Sequence, residues 1–238
     1  MKLSDFKVLT FDCYGTLIDW ESGILTALRP LVRRTGVTLD GGTILGCFAA
    51  EESQQQAATP DMPYAALLSV VHARLARVWG VAEDVAENAR FGASIADWPA
   101  FPDTVEALRA LGARYRLVIL SNVDRDGFRA SAARLGVTFD AIYTAQDIGS
   151  YKPDPRNFTY LMERLAADGF DKSDVLHVAQ SLFHDHAPAN AIGLASCWID
   201  RRHGAAGWGA TAPPPPGVRY DFRFESLADL AEAVRAGG

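Results

Sequence analysis

The sequence predicts an α/β fold: a parallel sheet with helices on both faces, and a helical segment inserted directly after the first strand. Three observations predict it. From about residue 100 onward, short apolar runs bounded by turn residues alternate with stretches whose apolar residues recur at three- and four-residue steps, the pattern of βα units. Residues from about 20 to 95 show only the helical period. Each core strand also delivers polar residues to its carboxyl end, where open parallel sheets bind their ligands.

The first strand run is Lys7-Val8-Leu9-Thr10-Phe11-Asp12-Cys13-Tyr14-Gly15-Thr16. Periodicity alone also allows a buried helix segment here. A carboxylate at the end of an apolar run costs desolvation unless it is paired or working. This stretch by itself leaves Asp12 as either a turn cap or a reactive group. Next, Ile24, Leu28, Leu31 and Val32 space out one buried helical stripe, with acids in its first turn to suit the dipole. Thr43 to Gln56 reads as a second helix, broken at Thr59-Pro60. Pro63 to Trp79 is a long helix carrying Leu67, Leu68, Val71, Leu75 and Val78, and Glu83 to about Phe91 a shorter one. The expected division is a helical unit at 19–96 within a core of 1–18 and 97–238.

Two prolines in Trp98-Pro99-Ala100-Phe101-Pro102 stiffen the return, and Asp103 can cap a helix bearing Val105, Leu108 and Leu111. Strands follow at Tyr115 to Asn122, Ala141 to Thr144, Val175 to Ala179 and Leu194 to Ile199. The helices between them run from Phe128 to Leu135, Phe158 to Ala167 and Pro188 to Ile192. Pro213 to Pro216 reads as a surface loop, because a strand-like Tyr220-Asp221-Phe222 and a helix from Ser226 to Arg235 come after it. The plan is Rossmann-like.

With 238 residues, 49% hydrophobic and 22% charged, the composition is that of a globular protein. A formal net charge of −6 argues against nucleic acid or an anionic membrane as the main partner. Met1 to Phe6 has no apolar signal region and no apolar run reaches the length of a membrane span. Cys13, Cys47 and Cys197 lack metal-ligand spacing and form no even-numbered framework, so a cytoplasmic protein is expected.

The polar strand ends form a constellation. The first supplies Asp12, Tyr14 and Thr16; the second Ser121 and Asn122; Tyr151 and Lys152 follow the third; Gln180, Ser181 and Asp185 follow the fourth. One such residue could be chance; an acid, a hydroxyl–amide pair, a lysine and a second acid delivered to one sheet edge make a candidate site. Phe11-Asp12-Cys13-Tyr14-Gly15-Thr16-Leu17, Leu120-Ser121-Asn122, Tyr151-Lys152-Pro153 and His184-Asp185 resemble the four ordered motifs of the haloacid dehalogenase (HAD) superfamily. The helical insert resembles that superfamily's cap. The resemblance implies that Asp12 is a nucleophile forming an ester, supported by Thr16, Ser121 and Lys152, with Asp185 activating water. Phosphatases of the superfamily carry a second Asp two residues after the nucleophile and bind Mg²⁺; here Tyr14 stands there. A general acid and an oxygen ligand are thereby missing. The chain is similar instead to the type II 2-haloacid dehalogenases, which need no metal or other cofactor and act at C2 of a small 2-substituted acid.

It departs from them in three places. Their second cap helix carries an Arg for the leaving halide, whereas Cys47 to Ser53 has none; Phe158 replaces a Tyr; and Gln180-Ser181-Leu182 replaces a Ser-x-Asn pattern. Within the branch, Phe11 to Glu21, Trp98 to Glu106, Gly149 to Pro153, His184-Asp185-His186 and Arg201-Arg202-His203-Gly204 resemble the (S)-azetidine-2-carboxylate hydrolases, which break a C–N bond. A ring-nitrogen cation fits a site without arginine, and suits Trp20 together with Glu51 or Glu52. The favoured substrate is thus (S)-azetidine-2-carboxylate, and a 2-haloacid the alternative; a phosphatase and a non-catalytic small-acid binder are the remaining readings.

The expected catalytic residues are Asp12, Thr16, Lys152 and Asp185, and the expected substrate contacts Tyr14, Trp20, Ser121, Asn122 and Gln180. Trp20 serves equally well as packing between insert and core. His184 and His186, two residues apart, do not share a helix face and do not make a metal site. Cys13 reads as core. The stripe of Pro63 to Trp79 suits packing inside the chain or a homodimer face.

Overall fold

The computed structural model describes residues 1–237. Six strands form one parallel sheet: β1 (Val8–Phe11), β2 (Arg116–Ser121), β3 (Ala141–Thr144), β4 (Val175–Ala179), β5 (Ala195–Ile199) and β6 (Phe222–Phe224), in the spatial order β3-β2-β1-β4-β5-β6. β1 is central, with Phe11 level with Ile119 of β2 and Val178 of β4. All four of its residues are buried, as expected of a strand covered on both faces. This removes the helical alternative for the first run.

The strand alternation sorts the core into two layers. Leu9, Phe11, Leu117, Ile119, Leu176 and Val178 face one side; Val8, Val118, Leu120 and Val175 face the other, against Phe158, Leu161 and Leu165. Four helices fill the insert: α1 (Trp20–Arg34), α2 (Gly41–Ala58), α3 (Tyr64–Val78) and α4 (Val85–Ala93). Their apolar residues, among them Ile24, Leu28, Phe48 and Leu68, join the layer that contains Leu9 and Phe11. On α3, Leu67, Leu68, Val71 and Leu75 are buried within the chain while Val78 is exposed. The buried part of the stripe packs inside the chain. Gly23 is what lets Trp98 lie on α1, since a Cβ there would meet the indole at 2.3 Å.

The remaining helices are α5 (Thr104–Gly112), α6 (Arg125–Leu135), α7 (Ala145–Ile148), α8 (Arg156–Ala167), α9 (Ala187–Ala191) and α10 (Leu227–Ala236). Side-chain caps explain where several boundaries differ from the periodicity reading. Asp40 accepts from Thr43 N and starts α2 early, and Asp124 accepts from Gly127 N and starts α6 at Arg125. The one-turn α7, absent from the sequence reading, is set by a capping box of Thr144 and Asp147. β6 lies two residues later than expected, because Asp221 is committed to both backbone groups of Ser196. Among the described residues no helix is long and apolar enough to cross a membrane.

Arg201, just after β5, ties the sheet edge together. Its guanidinium donates to both oxygens of Asp103 at 2.8 and 2.9 Å and to the carbonyl of Thr16, and it stacks 4.1 Å from the Phe101 ring. Asp103 also accepts from the backbone of Leu227 and Ala228, so one ion pair holds the turn after β1, the start of α5 and the start of α10.

Candidate active site

Asp12 follows β1, and its carboxylate is held from both sides. Thr16 Oγ1 donates to Oδ2 at 2.7 Å and Lys152 Nζ to Oδ1 at 2.9 Å. The intervening turn is tight: Leu17 and Ile18 both donate to the carbonyl of Cys13, and Gly15 takes φ +93°. A side chain at Gly15 would be strained and would sit 3.0 Å from the Trp20 indole nitrogen.

Lys152 is 1% exposed and spends its ammonium on three acceptors: Asp12 Oδ1, Asp185 Oδ1 at 2.6 Å and the Leu120 carbonyl at 2.9 Å. Asn122 clamps the Lys152 backbone, accepting from its N at 2.7 Å and donating to its O at 3.0 Å. One cation thus serves two buried carboxylates. Burial disfavours the charge on Lys152, but Asp12 and Asp185 outweigh it and raise its pKa. Burial likewise opposes ionisation of Asp185, and Lys152 and then His177 overcome it, so Asp185 is held well below the carboxylate range. Asp12 goes the other way. Burial, aided by the charge of Asp185, raises its pKa despite Lys152 and Thr16. Lys152 still favours the ionised form of Asp12, but its ammonium is shared with Asp185.

Between these groups and the insert lies a cavity of about 30 Å³. Asp12, Lys152 and Asp185 form its floor; Tyr14, Trp20, Glu52 and Tyr64 stand among its walls, and no arginine does. Tyr14 is fixed by a 2.8 Å hydrogen bond with Ser131 and edge-to-face packing on Trp98 at 5.6 Å. Glu52 is 2% exposed and accepts from Tyr64 Oη at 2.5 Å; burial lifts its carboxyl to about 7. Glu51 faces elsewhere and pairs with Arg74. Which of the two acids reaches the cavity depended on helix phase within α2, and the fold answers Glu52.

Of the substrate contacts expected from the sequence, Tyr14, Trp20 and Asn122 wall the cavity. Ser121 is buried with its Oγ unpartnered but is not a wall. Gln180 is not among its walls. Its backbone N donates to Thr16 Oγ1 and its carbonyl accepts from Trp198 Nε1, and the residue lines a neighbouring cavity with Trp198 and Trp208. Its side-chain oxygen lies beside Gly15, in the turn that carries Thr16. Trp20 walls the cavity and packs edge-to-face on Phe48 of α2, a contact within the insert.

Asp185 and its flanking histidines lie on one wide π-helical turn, Leu182–His186, capped by Ser181. His186 uses both ring nitrogens, on Ser196 Oγ at 2.9 Å and the Ala179 carbonyl at 3.0 Å. Burial depresses His184 and His186 to about 4, so both are neutral. No group of three metal-ligating side chains occurs among the described residues. Sequence reasoning missed Tyr64 and also His177, whose Nε2 lies 2.9 Å from Asp185 Oδ1. A histidine in the middle of an otherwise apolar strand was the available signal.

Residues 6–181 match the haloacid dehalogenase-like hydrolase family. The (S)-2-haloacid dehalogenase of Pseudomonas putida is 30% identical over 108 residues, covering 44% of this chain and 46% of that protein, so this match spans just under half the relative's length. The (S)-2-haloacid dehalogenase 4A of Burkholderia cepacia is 24% identical over 217 residues, covering 84% of this chain and 85% of the relative. Among solved structures, a defluorinating L-2-haloacid dehalogenase superposes with a TM-score of 0.78 at 24% identity, covering 98% of each chain. Sheet order, helical insert and matched segment agree, and the chain belongs to the haloacid dehalogenase-like hydrolases.

Proposed function

We propose that this hydrolase displaces the C2 substituent of a small 2-substituted carboxylate through an ester on Asp12. The observation that carries the reading is the single Lys152 ammonium bridging Asp12 and Asp185 beneath a small cavity. An Asp12 oxygen attacks C2, the C2–substituent bond breaks, and the leaving group departs with the bonding electrons. Water then adds to the Asp12 carbonyl carbon, passing a proton to Asp185; the released 2-hydroxy acid takes that proton back. Thr16 and Lys152 hold the nucleophile, and residues 19–96 act as a cap that excludes water. Tyr14, standing where a second acid would serve phosphoryl transfer, supports carbon rather than phosphorus as the electrophile.

The relatives named as (S)-2-haloacid dehalogenases support halide as the leaving group. A second reading, opening of (S)-azetidine-2-carboxylate, is favoured by Glu52: a buried acid and an indole facing the nucleophile, with no arginine in the walls, suit a ring-nitrogen cation. The substrate carboxylate is the only partner this reading requires. Three free cysteines suit a reducing cytoplasm.

The test is turnover under EDTA of (S)-2-chloropropionate and (S)-azetidine-2-carboxylate, scoring chloride, ring-opened amine and hydroxy acid. A single turnover in heavy-oxygen water should give a first product carrying oxygen from the protein; label arriving only from solvent would sink the ester. If the second reading holds, Glu52→Gln lowers ring opening more than chloride release.

A further inference from the structure

β4 is buried along its whole length, yet its middle residue is His177. Across the parallel ladder it stands level with Thr10 of β1, and both side chains are fully buried. The layer they enter is otherwise apolar. Val8, Val118 and Phe158 belong to it, and the Phe158 ring meets the imidazole edge-to-face at 5.0 Å. Two polar groups in such a layer are costly unless each finds a partner.

Here they form a line. Thr10 Oγ1 and His177 Nδ1 are 2.8 Å apart, and His177 Nε2 and Asp185 Oδ1 are 2.9 Å apart. An ionised carboxylate only accepts, so Nε2 donates to Asp185, and the Thr10 hydroxyl is the partner of Nδ1. Asp185 thereby sets which nitrogen faces it as a donor, and Thr10 holds the other end of the ring. Asp185 Oδ1 receives both His177 and Lys152, whereas Oδ2 is buried without any partner, in a residue that walls the cavity. Two donors on one oxygen fix the rotation of the carboxylate and leave the other oxygen free.

We propose that His177, braced by Thr10, is a positioning residue for the second half of the reaction, holding Asp185 so that Oδ2 receives the proton of the water that opens the Asp12 ester. The inference rests on the ester mechanism proposed above. Water oxygen bonds to the Asp12 carbonyl carbon and its proton goes to Oδ2; the carbon–oxygen bond to the product breaks, and the product oxygen takes the proton from Asp185. Asp12 is left as the acid and loses its proton to solvent. His177 neither gains nor loses a proton, and the leaving group plays no part.

The experiment is rapid quench of the full chain with (S)-2-chloropropionate, and in parallel (S)-azetidine-2-carboxylate, following the covalent adduct by intact mass. His177→Leu removes the donor. The expected result is near-native ester formation with ester hydrolysis slowed by about tenfold, as for other lost orienting hydrogen bonds, so that adduct accumulates. His177→Gln, which keeps an N–H near the Nε2 position, should recover most of the second step. Thr10→Val removes the hydrogen bond that braces the ring at Nδ1 and should slow the same step by less. Equal slowing of both steps in His177→Leu, or no recovery by His177→Gln, overturns the proposal. If His177→Leu does not fold, native partitioning in Thr10→Val overturns it. An unmodified wild-type protein with both substrates would mean that the ester mechanism itself has failed, an outcome distinct from altered partitioning.

Discussion

Glu52→Gln should make the protein more stable, by an amount that depends on pH. The carboxyl is 2% exposed, and its hydrogen-bond partner is the neutral Tyr64 hydroxyl. Burial raises it from 4.5 to about 7. Between these values the folded chain binds a proton that the unfolded chain has released, so stability falls as pH rises through the window. At about 1.4 kcal/mol per pH unit, burying Glu52 costs the fold about 1 kcal/mol at pH 5, where it takes up a proton on folding, and about 3 kcal/mol at pH 8, where it is ionised. Glutamine has nearly the same shape, still accepts from Tyr64 and does not titrate. Urea denaturation of both proteins at pH 5 and pH 8 checks this. The difference between them isolates position 52, because the other ionisable groups are common to both. A gain of about 3 kcal/mol at pH 8, shrinking to about 1 kcal/mol at pH 5, is expected. An equal difference at the two pH values, or a variant less stable at pH 8, would refute the burial argument.

Other perturbations follow from the same site. Asp185→Asn should trap the Asp12 ester, seen as a stable adduct by mass; removing its charge should also lower the Asp12 pKa and move the acid limb of ester formation to lower pH. His186, depressed from 6.5 to about 4, works against Glu52 in pH dependence: the unfolded chain takes up its proton first, so stability is lost as pH falls through that window. His186→Gln should accordingly lose about 3 kcal/mol less than wild type between pH 7 and pH 4 in denaturant titrations. Arg201→Met leaves Asp103 without its partner and should cost about 3 kcal/mol in chemical denaturation. If Asp103→Asn in the same chain restores none of this, the ion pair is not the cause.

The order of elements, the parallel sheet and the four polar strand ends were legible in the sequence because they are local: apolar period, turn residues and caps act over a few positions. Asp12, Thr16, Lys152 and Asp185 belonged to motifs at those strand ends, and the fold brings them within hydrogen-bonding distance of one another. What the sequence could not decide were matters of phase and register. Whether Glu51 or Glu52 faces the cavity depends on the rotation of α2 against the sheet; of the residues after β4, Ser181 walls it, whereas Gln180 lines the neighbouring cavity. His177 was passed over because its partners Thr10 and Asp185 are 167 and 8 residues away, joined only by strand pairing and the turn after β4. Charge sharing was equally invisible. A motif can place a lysine beside an aspartate, but only the buried geometry of both carboxylates shows that Asp185, with a second donor in His177, holds its charge more tightly than Asp12. Sequence therefore determined which groups meet at the sheet edge, whereas desolvation and distance, which exist only in the packed structure, decided how their protons and charges are divided.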